Sequence, residues 1–201
     1  MHVGGNGGCD FATPSNDTAR DTTVFWAPEV DTSVVLLTAV SPTLPTETAR
    51  AAILRPGKTR RASDGLYIAH GHGRATAYSV LLGQVGIDDP VVVLVPLGWS
   101  ATERFSASER LWRIAEDRPV TDTRVTKQRR LRLRQMMRAV DGKAARASHR
   151  QIAQAIFGIR RVDAELWHES SLRYATMRLL RDGRAMVDGG YRKLLCSRRA
   201  M

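Results

Sequence analysis

The side chains best placed to do chemistry are basic. Arg173, Tyr174, Met177, Arg178, Arg181 and Arg184 recur at the three- and four-residue spacing that gathers side chains on one helical face. An arginine fork on such a face can hydrogen-bond the edge of a guanine or two phosphate oxygens, so the expected ligand is a DNA groove. Lys127, Arg129, Arg130 and Arg134 form a second, denser stretch without helix-start geometry, which suits phosphates rather than base edges. Ser148-His149-Arg150 and the pair Ser170-Ser171 stand where helices begin, and a helix N-terminus can hold a phosphate. These fifteen residues are the candidate DNA-contacting set.

Other chemistries find less support. His70-Gly71-His72-Gly73 has two imidazoles but only Asp64 as a nearby further ligand, so a polar turn between strands is expected rather than a metal site. The serines lack a histidine–carboxylate partnership and are better helix caps than nucleophiles. His149 and His168 are expected at the surface or at helix ends. Gly4-Gly5-Asn6-Gly7-Gly8 is not followed by Lys-Ser or Lys-Thr, as a phosphate-cradling loop would be. Cys9 and Cys196 lie near opposite ends, too few for a disulfide framework and in keeping with a reducing cytosol. Neither enzyme activity nor a cofactor is expected.

The elements that must position the basic side chains are helices. From Thr126 to Val140, Leu133, Met136, Met137 and Val140 mark one apolar face, with Arg130, Arg134 and Arg138 on another and Asp141-Gly142 as the stop. Ser148 to Gln151 is a capping-box pattern opening a helix with Ile152, Ala153, Ile156 and Phe157 inward and Gly158 as its end. The helix opening at Ser170-Ser171 has Leu172, Ala175, Thr176, Leu179, Gly183, Met186 and Val187 on its inward side. Three such helices in order suggest a helix-turn-helix-like module. The eleven residues Ile159 to Glu169 are far longer than the usual tight turn of about 3–4 residues. A turn of helix over Val162 to Trp167, with Trp167 in the core, would help to fill that connection.

Upstream the period differs. Val34 to Val40, Leu66 to Ala69, Thr76 to Leu82 and Val91 to Leu97 are strand-length runs, the last expected to be buried on both sides. A helix or turn is expected over Glu47 to Leu54, stopped by Pro56-Gly57, and a short amphipathic helix over Ser106 to Glu116 carries Leu111, Trp112 and Ala115. The fold class is therefore α+β, a small mainly antiparallel β part followed by an all-helical part. The expected domains are a flexible lead over residues 1–23, a β-rich domain over 24–120, and a helical DNA-binding domain over 124–201.

Charge follows the same division. The chain has 201 residues, a net charge of +11 and a pI near 10.7. From Met1 to Glu103 seven Lys and Arg face ten Asp and Glu, a balance of −3; from Arg104 onward twenty-four face ten, a balance of +14. Such asymmetry marks a region that meets a polyanion. No apolar run approaches the roughly 18 residues of a membrane span, so no membrane partner is expected. The glycine-rich, uncharged start is unlike a signal peptide, and the expected location is the cytoplasm.

The run from Leu133 to Leu195 resembles the RovC-like DNA-binding domain family of proteobacterial transcriptional regulators. The residues that carry the resemblance are AVDGKAARASHRQIAQAIFG, the Trp167 region and SSLRYATMRLLRDGRAMVDGGYRKLL. Phe25-Trp26-Ala27-Pro28-Glu29-Val30 and the Val91 to Leu97 run resemble the segment such proteins carry upstream. The resemblance implies a transcription activator, sometimes tied to secretion-system or integrative-element genes. It also implies a further N-terminal helical segment, which this sequence is expected to lack, with Cys9 to Pro14 as the seam; the chain is then either a short form or one that needs a partner protein. The expected partners are double-stranded DNA and further copies of the chain, in a dimer or larger ring. The alternative is a protein-interaction module, or the partner of an antiactivator, whose basic helices dock an acidic protein. An RNA-binding role is less favoured, because no set of stacking aromatics is present.

Overall fold

The computed structural model describes residues 23–43, 56–71, 76–120 and 125–195. The expectations for the lead, for Glu47 to Leu54, for the seam at Cys9 to Pro14 and for His72-Gly73 lie outside the described residues. The chain divides into two compact units, Thr123–Leu194 being the second and Met1–Asp122 with Leu195–Met201 the first.

In the first unit, β1 (Val34–Ala39), β2 (Pro56–Arg61), β3 (Gly65–His70), β4 (Ala77–Leu82) and β5 (Val91–Leu94) form one sheet in the order β2-β3-β4-β1-β5. Only β1 and β4 run parallel; the other three pairings are antiparallel. Successive residues of a strand point to opposite faces. Val35 and Leu37 thus pack with Ile68 and Leu81 beneath Ala107 and Leu111 of α1 (Ala101–Ala115), while Val34 joins Tyr67, Ala69, Val80 and Phe25 on the other face. Both faces are covered, which is why no polar–apolar alternation shows in β1 or β4. Arg104 anchors α1 to the segment before β1, donating from Nη2 to the Pro28 carbonyl at 2.9 Å. The Thr32 hydroxyl donates to Glu103 at 2.5 Å from the same helical turn.

Four expectations change here. Pro56-Gly57 opens β2, a strand the sequence pattern did not lead us to expect, at an edge of the sheet with its residues from Gly57 to Arg61 all exposed. β5 is the opposite edge, so it is not buried on both sides: Val91 is buried, and Val93 and Leu94 are exposed. α1 begins at Ala101, earlier than Ser106, and Trp112 lies at its surface with the Arg118 guanidinium 4.5 Å from its ring centroid. His70 is not in a turn. It ends β3 fully buried, 2.7 Å from the Ser79 hydroxyl through Nε2.

The second unit contains α2 (Lys127–Ala144), α3 (His149–Phe157), α4 (Ile159–Asp163) and α5 (Ser171–Ala185), followed by a wide turn over Met186–Gly190 and a short α6 (Arg192–Leu195). Met136 and Ala139 of α2, Ile152 of α3, and Leu179 and Leu180 of α5 share one core cluster. Ala153, Val162 and Leu172 form a second, with Trp167 packed against it. Val162 on α4 is fully buried, so a helical turn does fill the long connection, starting at Ile159. Gly158, at φ +96°, separates α3 from α4, a backbone geometry that favours glycine.

The apolar stripes differ from expectation at their ends. α2 continues through Asp141-Gly142 to Ala144, because Gly142 sits inside the helix against Ile152. Met137 faces solvent and Ala139 takes the inward place. On α5, Leu180 is buried as well as Leu179, whereas Val187 is exposed because the helix has ended at Ala185. At Gly183 the two long helices touch: a Cβ there would lie 2.8 Å from Val140 Cγ2 and 3.0 Å from the Met136 carbonyl oxygen.

Candidate nucleic-acid interface

The starts of α2, α3 and α5 are each capped by a local side chain. Thr126 accepts from the Arg129 amide at 3.2 Å and so opens α2. Ser148 and Gln151 form the full capping box at α3, with both reciprocal bonds present. Ser170 caps α5 by accepting from the Leu172 amide at 3.0 Å, and its hydroxyl donates to Glu165 at 2.5 Å. Ser170 is buried, so it is occupied by capping and turned away from solvent, unlike Ser171 beside it. A carboxylate bound at this helix start also leaves it poorly suited to a phosphate.

The outward face of α5 is as its spacing implied. Tyr174, Met177, Arg178, Arg181 and Arg184 are exposed, and Arg173 is half-buried with Nη1 donating to the His168 carbonyl at 3.0 Å. Lys127 and Arg134 are exposed on α2, and Arg129 and Arg130 are half-buried, with Arg130 reaching the Val125 carbonyl at 3.4 Å. On α3, His149 is half-buried, while exposed Arg150 pairs with Asp163 of α4 at 3.0 Å. Arg138 is a structural tie, donating to the Ala155 carbonyl of α3 at 2.8 Å.

Two basic stretches that are separate in sequence meet at Asp182. Its Oδ2 accepts from Arg132 of α2 at 2.7 Å, and its Oδ1 accepts from Nε and Nη2 of Arg181 at 3.0 and 2.9 Å. The hydrogen bond from Arg181 holds the Asp182 carboxyl below the ordinary carboxylate range; burial opposes it, and the hydrogen bond from Arg132 adds to the lowering. Arg132 and Asp182 were not among the candidates, since fifty residues separate them and no local pattern links them. Arg160 and Arg161, exposed on α4, were also missed; their adjacency inside an apparent loop was the available signal. Among the described residues no group of three or more His, Cys, Asp or Glu could hold a metal ion. Among them also, no helix is long and apolar enough to cross a membrane.

A helical unit that buries its apolar stripes and turns cationic side chains outward from two helices belongs with the DNA-binding domains of transcription factors. Residues 94–196 match the RovC DNA-binding domain, described as a T6SS transcription factor DNA-binding domain, and the chain belongs to that family. The match opens at the end of β5 and therefore takes in α1 as well as the second unit. No curated protein matches the chain.

Proposed function

We propose that the chain is a sequence-specific regulator of transcription, an activator, that places α5 in the major groove of double-stranded DNA. The observation that carries this reading is the composition of one exposed helical face: Tyr174, Met177, Arg178, Arg181 and Arg184 lie opposite Leu172, Thr176, Leu179 and Gly183, which are buried. Such a helix has its angle of entry set by packing and its outward side chains left for base edges. Lys127, Arg129, Arg130 and Arg134 on α2 supply phosphate contacts, and residues 124–201 are the DNA-contacting part. The family description points to T6SS genes as targets. Assembly of copies runs through the β5 edge, where Val93 and Leu94 are exposed and no charged side chain interrupts the strand.

Binding-site selection from a random duplex pool tests the division of roles. Arg178→Ala should flatten the preference at one base position, by roughly tenfold for a lost bidentate arginine–guanine contact. Arg134→Ala should weaken all duplexes alike and reduce the salt slope by about one unit. The same selected motif from wild type and Arg178→Ala, or a changed motif from Arg134→Ala, would overturn the assignment.

A further inference from the structure

Asp182 is the single acidic residue of α5, and it stands half-buried at the border of the basic face just described, on the side held by α2. A carboxylate there opposes phosphate binding by like charge, so its position calls for another role. The geometry defines one. Both Nε and Nη2 of Arg181 are bound to the same oxygen, Oδ1, and the second oxygen is held from α2 by Arg132. The Arg181 side chain is nevertheless 75% exposed. Its guanidinium is thus fixed along one edge, while Nη1 and the remaining hydrogen of Nη2 point away from the carboxylate. Those two N–H groups form the end-on fork that matches guanine O6 and N7.

We propose that Asp182 is a positioning residue that presents the Nη1–Nη2 fork of Arg181 to a guanine edge; this rests on α5 being the helix that enters the groove. Three observations favour base recognition over a phosphate contact for Arg181. A bound carboxylate offsets its charge, which weakens a phosphate contact but leaves donation to a neutral base intact. The rotamer freedom of a long side chain is already given up before DNA arrives, so less is lost on docking. Finally, Arg132 fixes the carboxylate from a second helix, so the fork is referenced to the α2–α5 pair rather than to one flexible side chain.

The test uses the full-length chain and two readouts: binding-site selection from random duplexes, and salt titration of affinity for a non-selected duplex. Arg181→Ala, Arg181→Lys and Asp182→Asn should each lose discrimination at the same single base position, by roughly tenfold. Asp182→Asn should bind non-selected duplex as well as wild type or better, since one negative charge is gone. Arg181→Ala with Asp182→Asn should match Arg181→Ala alone, and Arg132→Ala should lose part of the discrimination at that same position, less than Asp182→Asn does. Asp182→Asn returning the wild-type motif while Arg181→Ala does not would overturn the positioning role. So would a parallel loss on all duplexes with a lowered thermal midpoint, which would make Asp182 a helix tie. If Arg181→Ala keeps the motif and Arg178→Ala changes it, α5 still reads bases and the proposal for Asp182 fails. If Arg173→Ala, Arg178→Ala and Arg181→Ala all keep it, the α5 reading itself has failed.

Discussion

Gly183 shows how one residue constrains the site it does not touch DNA to serve. In an exposed helix interior, Gly→Ala is stabilising by about 1 kcal/mol through propensity alone. Here the added methyl would meet Val140 Cγ2 at 2.8 Å and the Met136 carbonyl oxygen at 3.0 Å. A side-chain methyl can shift, but a backbone carbonyl inside α2 cannot without moving the helix. Overpacking of this kind costs about 1–3 kcal/mol, so the steric effect outweighs the propensity gain. Gly183→Ala should therefore lower the thermal midpoint, and denaturant unfolding should report a net loss of about 1 kcal/mol. A raised midpoint would mean that the helices separate freely at this crossing. The neighbouring Asp182 presents the contrasting case of a polar residue one of whose partners, Arg132, is visible only in three dimensions.

At the scale of elements, what the sequence disclosed was local. The α3 capping box was legible because serine and glutamine three apart satisfy each other's backbone amides without help from elsewhere. Ser148→Ala should cost about 1 kcal/mol, measured by denaturant unfolding, with a smaller loss expected if Thr replaces Ser. Helix α5 was legible for a related reason, since its period alone separates Leu172, Thr176 and Leu179 from Tyr174, Arg178 and Arg181. β2 was not legible. Pro-Gly-Lys-Thr-Arg-Arg has no apolar alternation, and an edge strand exposed from Gly57 to Arg61 needs none. β5 misled in the opposite sense, because an apolar run has the same appearance whether its strand is central or at an edge. Helix ends shifted for want of a clear stop: Gly142 is a close-packing residue against Ile152 rather than a terminator. The meeting of Arg132 with Asp182 depends on how α2 and α5 cross, which no pattern along the chain encodes.

For the whole molecule, the family match and the packing suggest different places to cut. The match begins at residue 94, within the last residue of β5, yet Ala107 and Leu111 of α1 are buried against Val35, Leu37, Ile68 and Leu81. A fragment of residues 94–201 keeps α1 and discards the sheet that covers it. Burying a leucine side chain is worth about 1.5–3 kcal/mol, and an uncovered apolar face is an association site. Light scattering at equal concentration should show residues 124–201 well dispersed and residues 94–201 aggregated. The reverse result would place the folding boundary at residue 94 and would make α1 part of the helical core. Duplex binding by the shorter fragment at low salt, weaker than that of the full chain, is the matching functional expectation.

The close approach at Gly183 has a mechanical consequence. With no side chain on α5 at that crossing, and with the Arg132–Asp182 bond beside it, the two basic helices are expected to move as one body. A stiff reader cannot adjust its spacing to the groove, so the misfit falls on the duplex. Elastic cost then enters recognition, and pyrimidine–purine steps, which kink most easily, should be enriched in selected sites at positions that no side chain reaches.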